Sequence, residues 1–237
     1  MKRWSQGLFA VFAGLAVTAA QAAVVFNDGD FTNWSFGSFS SGGGSATAVV
    51  EPTGGNPGAR VNVTTVTATV TQSGFGSGVK NDYSTTAQLE GTPVALILDV
   101  LSGPGSFGQG QAIQLLVEQG GSIYAFSLGI TNVQPSFATL TFNGTLTGAA
   151  FTRVSGAGPA TPNLGGGVVT RFGFAAGNSS SQTLTQYYDN VRLDLSPVIV
   201  PPPPAPAANI PTLSQWALIL LAGLLGFVAV ARLRRAG

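Results

Sequence analysis

The stretch Arg60–Thr71, RVNVTTVTATVT, puts an apolar residue at every second position, with one slip at Thr64-Thr65. Successive side chains leave a strand on opposite sides, so a period of two marks a strand with one buried face. The slip predicts a bulge or a break into two short strands. Further strands are expected at Gln111–Glu118, Ser122–Leu128, Phe137–Phe142, Val168–Phe174 and Gln186–Leu195. Val94–Leu101, VALILDVL, is nearly all apolar, as in a central strand covered on both faces. Turn clusters separate these runs: Gly54–Gly58, Gly103–Gly105, Gly120-Gly121, Asn143-Gly144, Gly165–Gly167 and Gly177-Asn178. Nothing between residues 23 and 197 repeats with the 3.6-residue period of a helix. Many short strands punctuated by Gly and Pro predict an all-β fold, a sandwich or a barrel.

Composition narrows what such a fold could do. There is no cysteine and no histidine. Disulfides are therefore excluded, and so are Ser-His-Asp, Cys-His and histidine-metal chemistries. All nine acids lie between residues 23 and 197, with only five of the ten bases: Arg60, Lys80, Arg153, Arg171 and Arg192. That body carries a net charge of −4, although the whole chain sums to +1. A sparse, mildly acidic surface argues against nucleic acid, which calls for a basic stripe. A carboxylate-pair glycosidase remains open on composition, with Glu51, Glu90 and Glu118 available but in no recognisable motif. Gly103-Pro104-Gly105-Ser106-Phe107-Gly108 matches the dinucleotide glycine pattern. A helix would have to open there, and a strand follows instead, so it reads as a turn.

The two ends carry different signals. Lys2 and Arg3 precede an apolar run of ten residues, Leu8–Val17, and Ala20 and Ala22 supply the small side chains that a signal peptidase reads. Residues 1–22 are expected to be a signal peptide, with the mature chain starting at Ala23. At the other end no residue from Ile210 to Ala231 is charged, a run of 22 positions. At about 1.5 Å per residue this spans a hydrocarbon core of about 30 Å. A transmembrane helix is expected at about residues 213–231, with Trp216 at an interface and Arg232, Arg234 and Arg235 held on the cytoplasmic side. Before it, residues 198–209 are rich in Pro and favour an extended polyproline spacer.

Ile210-Pro211-Thr212-Leu213, then Trp216, an apolar helix and the cluster Arg232–Arg235 resemble the IPTL-CTERM sorting domain of Gram-negative bacteria, a relative of the PEP-CTERM domain. Ala217 stands where that family commonly has Gly. The resemblance implies processing by an exosortase-type membrane enzyme near the motif. It also implies an inner-membrane intermediate, followed by transfer of the body to the cell surface or extracellular matrix.

Three patches of the body resemble jelly-roll domains of the carbohydrate-binding type. They are the acidic-aromatic opening Phe26–Phe31 with Trp34 behind it, the turn Gly54–Gly58, and the closing Asp189-Asn190-Val191. This resemblance implies a single jelly-roll-like β-sandwich over residues 23–197 whose first and last strands pair. It also implies a structural calcium, with Asp28, Asp30 and Asp189 as candidate ligands. Glycan binding would need aromatic platforms, and among the body's one tryptophan and four tyrosines the candidates are Trp34 and Tyr188. The expected function is that of a non-enzymatic surface or matrix protein. A carbohydrate-binding module for matrix polysaccharide and a glycan-cleaving enzyme are the alternatives.

Overall fold

The structure is a computed structural model and describes residues 24–104, 106, 110–195, 221, 222, 225 and 232. It divides into two units, residues 1–199 and 200–237. In the second unit Leu221, Ala222, Leu225 and Arg232 are helical. Among the described residues no helix is long and apolar enough to cross a membrane. The expected signal peptide, the Pro-rich spacer and nearly all of the expected span lie outside the described residues.

Among its described residues the first unit is built of strands, with one 3-10 turn at Gly148–Ala150. Its strands are β1 (Val24–Asp28), β2 (Trp34–Ser41), β3 (Ser45–Gly55), β4 (Gly58–Val66), β5 (Ser73–Thr85), β6 (Pro93–Ser102), β7 (Ala112–Gln119), β8 (Ser122–Ile130), β9 (Ala138–Thr145), β10 (Thr152–Ser155), β11 (Thr170–Asn178) and β12 (Thr183–Leu195). One six-stranded sheet runs β3-β4-β12-β6-β9, with β1 pairing the second half of β12. The other runs β10-β8-β7-β11-β5-β2. First and last strands do pair, antiparallel, from Val24↔Leu195 to Asp28↔Val191.

Alternation dictates what each sheet turns inward. Val61, Val63, Leu96, Leu98, Val100 and Leu193 of the first sheet meet Ile113, Leu115, Val117, Phe172 and Phe174 of the second in one core. Each of these is at most 1% exposed. Gly120 and Gly121, both at positive φ, make the two-residue β7–β8 hairpin turn that such backbone angles favour.

Three expectations are corrected. The slip at Thr64-Thr65 is neither a bulge nor a break. β4 pairs regularly with β3 up to Val66, with Thr65 inside and Val66 47% exposed. A threonine is tolerated there because its hydroxyl donates to Leu184 O (3.4 Å) and accepts from Gln111 Nε2 (3.4 Å). Asn143-Gly144 is not a turn but lies within β9, with Phe126 and Leu128 packed over the glycine. In β6, Val94, Leu96, Leu98 and Val100 face the core, whereas Ala95 and Ile97 on the other face are only half-buried.

Candidate functional site

The outer face of the second sheet carries a groove. In β11, TRFGFAAGN, the residues Phe172, Phe174 and Ala176 face the core, so Gly173, Ala175 and Gly177 face out. Ala175 joins Val79 of β5, Leu116 of β7 and Ala125 of β8 in a second buried apolar cluster beneath this face. Phe39 of β2 and Phe75 of β5 face each other in register and stack, with ring centroids 5.2 Å apart and an interplanar angle of 13°. Ile123 and Val154 pack against the far side of the same apolar cluster. The groove between holds about 520 Å³. Its lining reaches from β2 to β10, across five inter-strand steps of about 4.8 Å, or about 24 Å.

Polar groups line the groove, and Arg153 is the one charged side chain among the described lining residues. Ser41, Ser73, Ser127 and Thr152 supply hydroxyls. Gln114 lies between them, and its side-chain oxygen is buried without a hydrogen-bond partner. A buried acceptor left in that state costs about 1–3 kcal/mol, which a donor from a bound molecule would recover. Arg153 borders the groove, but its guanidinium donates to Pro159 O (3.4 Å), and alternation turns Thr152 and Val154 to the groove side. Among the described residues no carboxylate lines the groove. Sequence reading missed this site, because its lining is drawn from segments of β2, β5, β7, β8 and β10 that are far apart in sequence and mostly carry Ser, Thr and Ala.

Trp34 and Tyr188, the expected glycan platforms, are core side chains. Tyr188 is fully buried and donates to Gln111 Oε1 (2.9 Å). Trp34 is half-buried, stacks on Phe36 and meets Phe26, Phe31 and Phe174 edge-on. Burial pushes the Tyr188 phenol well above its usual range, and a hydrogen bond with Thr131 opposes this only in part. The unfolded chain releases that proton near pH 10, while the folded chain keeps it. Stability is therefore expected to fall as pH rises above about 10. Urea midpoints at about pH 8 and pH 11 should show the fall, and Tyr188→Phe should lessen it.

Asp28, Asp30 and Asp189, the expected calcium ligands, do not converge. Asp28 accepts from the Asp30 and Phe31 amides with one oxygen and from the Lys80 ammonium with the other. Asp30 caps the Thr32 amide (2.8 Å). Asp189 accepts from the Asn56 and Asn190 amides beside Asp99, which in turn accepts from Thr139 Oγ1 (2.5 Å) and Asn190 Nδ2 (2.8 Å). Burial raises the Asp189 carboxyl above the usual range, those two amides pull it back, and Asp99 adds to the rise. Among the described residues no group of three or more acidic side chains could hold a metal ion. The candidate set therefore does not fit calcium.

The three glutamates are likewise separate. Glu51 serves Arg60 and Asn62, Glu90 the Gly148 amide, and Glu118 Arg171 and the Gly121 amide.

Comparison with known proteins places the C-terminal end. Residues 208–235 match the IPTL-CTERM motif. The motif implies a secreted protein sorted to the cell surface. Of its residues, Ile210, Pro211, Thr212, Leu213, Trp216, Arg234 and Arg235 lie outside the described residues, as do Ala20, Ala22 and Ala23 at the expected signal-peptidase site. No curated protein matches the chain in sequence.

Structural neighbours of the body include carbohydrate-binding modules. The family 11 module of the cellulase Lic26A-Cel5E of Clostridium thermocellum superposes with a TM-score of 0.42 at 16% identity, over 73% of this chain and 95% of the module. The Clostridium thermocellum family 11 module in complex with a β-1,3-1,4-mixed-linked tetrasaccharide gives 0.43 at 18%, over 73% and 96%. The CBM22-1 xylan-binding domain of Paenibacillus barcinonensis Xyn10C gives 0.41 at 13%, over 75% and 98%.

Proposed function

We propose that this is a non-enzymatic surface or extracellular-matrix protein whose β-sandwich holds a neutral polysaccharide in the groove of its second sheet. The groove is the observation that carries the reading. Its length of about 24 Å suits an extended chain rather than a small molecule. The Phe39–Phe75 pair offers apolar surface to sugar rings, and the hydroxyls and the unpartnered Gln114 oxygen offer hydrogen bonds that fix orientation. The lining is otherwise uncharged, and its one cation, Arg153, already donates to Pro159 O, which favours a neutral ligand. The absence of a carboxylate among the described residues of the groove favours binding over cleavage, since glycoside hydrolysis needs two.

Delivery follows from the C-terminal motif. In this reading residues 1–22 are removed on export, residues 23–197 form the displayed body, residues 198–209 hold it off the membrane, and an exosortase-type enzyme acts at residues 210–213. The run of 22 uncharged residues before Arg232 supports a transient membrane stop.

Two experiments test the two halves. The full chain, purified in detergent, should be retained on immobilised neutral polysaccharides without releasing reducing sugar. Passage through every polymer of a neutral panel would remove the binding reading. The intact mass of the mature protein from its native host should end near Ile210–Leu213. A mass running to Gly237 would make the tail a plain anchor.

A further inference from the structure

We infer that the ammonium of Lys80 is the built-in cation of the N-terminal loop, and that the body folds without calcium. Lys80 enters from β5, where its neighbour in register is Trp34 of β2. The Lys80 and Asp28 side chains are only 11% and 7% exposed. Around the Lys80 nitrogen stand the Asp28 carboxylate, Asp82 Oδ1 at 2.9 Å and Thr32 O at 3.5 Å. Phe26, Phe31 and Trp34 pack beside this cluster, and the nitrogen lies 6.0 Å from the centre of the Trp34 ring.

These are oxygen donors of the kind a hard cation selects: two carboxylates and a main-chain carbonyl. A lysine placed among them supplies the positive charge itself. Burial works against that charge, but the hydrogen bonds to Asp28 and Asp82 outweigh it and hold Lys80 above its usual range. A divalent ion would have to displace a covalently tethered ammonium to reach Asp28. The other oxygen of Asp28 is already committed to the Asp30 and Phe31 amides, which fixes the loop between β1 and β2. In this arrangement one lysine of β5 ties down β1 and the loop that follows it, and so joins the two sheets.

The test is thermal unfolding of the full chain in detergent, with added calcium and with a chelator. The parent chain should show the same midpoint in both. A midpoint that rises with calcium or falls with chelator overturns the inference. Lys80→Met should lower the midpoint by roughly 10 °C, because it leaves Asp28 buried and unpaired. A Lys80→Met protein as stable as the parent also overturns it. The double variant Lys80→Met/Asp28→Asn removes the cation and the charge it balances, while the Asn oxygen can still accept from the loop amides. It should recover at least half of the lost midpoint. A double variant no better than the single one would mean that Lys80 acts by packing, and the inference fails. If Lys80→Met does not fold, the calcium and chelator measurements on the parent and the folding of the double variant still decide.

Discussion

A Phe75→Ala protein is expected to wash through the polysaccharide column that holds the parent chain, with affinity reduced about tenfold or more, or about 1.4 kcal/mol. Phe75 has two neighbours in the groove. It stacks on Phe39, and it overlies Gly177, where a Cβ would come within 2.3 Å of the ring. Removing the ring takes away half of the aromatic wall and leaves Phe39 without its support. Because Phe75 is half-buried, some stability will be lost as well, so a second variant separates the effects. Gln114→Leu deletes a buried oxygen that has no partner in the folded chain. Its removal should leave the urea midpoint unchanged or slightly raised, since an unsatisfied acceptor costs folding free energy. If Gln114 meets a ligand hydroxyl, affinity should nonetheless drop about tenfold. Unchanged retention in both variants would place the binding surface elsewhere.

Gly173→Ala is expected to be among the most damaging single substitutions in the body. A Cβ at this position would stand 1.9 Å from Gly78 O and 2.8 Å from Val79 Cα. Both are backbone atoms of the neighbouring strand, so no side chain can swing aside. The site also falls where the β11–β5 pairing jumps, from Arg171↔Ser84 to Gly173↔Val79. The strands would have to part at the centre of the second sheet. The expected cost is about 3 kcal/mol, at the upper end for overpacking, which lowers the melting midpoint by roughly 6–12 °C. Gly37→Ala on β2 is the control. Its nearest neighbour would be Ser77 Oγ at 3.8 Å, and the change should be nearly neutral. Equal midpoints for the two variants would show that β11 and β5 are not packed this closely.

How much was legible depended on what each strand uses to bury itself. β4, β6 and β7 bury branched apolar side chains at every second position; alternation announced β4, and a nearly unbroken apolar run announced β6. β5 has the same geometry but carries Gly74, Gly76 and Gly78 on its inner face. Added Cβ atoms there would strike Ser45 O, Val63 and Phe36, at 2.3, 2.8 and 2.6 Å. The strand lies so close to its neighbours that side chains are excluded, and the sequence pattern goes with them. β2 and β3, rich in Ser, Thr and Gly, were passed over for a related reason. The groove was invisible because its lining comes from five strands distant in sequence. The platform residues failed differently: Trp34 and Tyr188 are large, and a sandwich core with room for them gains more from burying them than a surface would. The calcium set joined Asp28 and Asp30 to Asp189 through the expected pairing of the first and last strands, whereas the group that answers Asp28 is Lys80, some fifty residues on. Pairing of the first and last strands, by contrast, was expected and is present.

The place of β12 sets the timing of assembly. This last strand lies between β4 and β6 in the first sheet and also receives β1. Without residues 183–195 that sheet is two unconnected pieces, β3-β4 and β6-β9, and β1 has nowhere to dock. The second sheet, by contrast, has all its strands by Asn178. In the proposed reading, a chain exported from its N-terminus can complete one sheet early but cannot assemble its partner until the final strand has emerged. Strand order alone thus withholds the closed sandwich until only a short, proline-rich stretch separates it from the IPTL-CTERM motif.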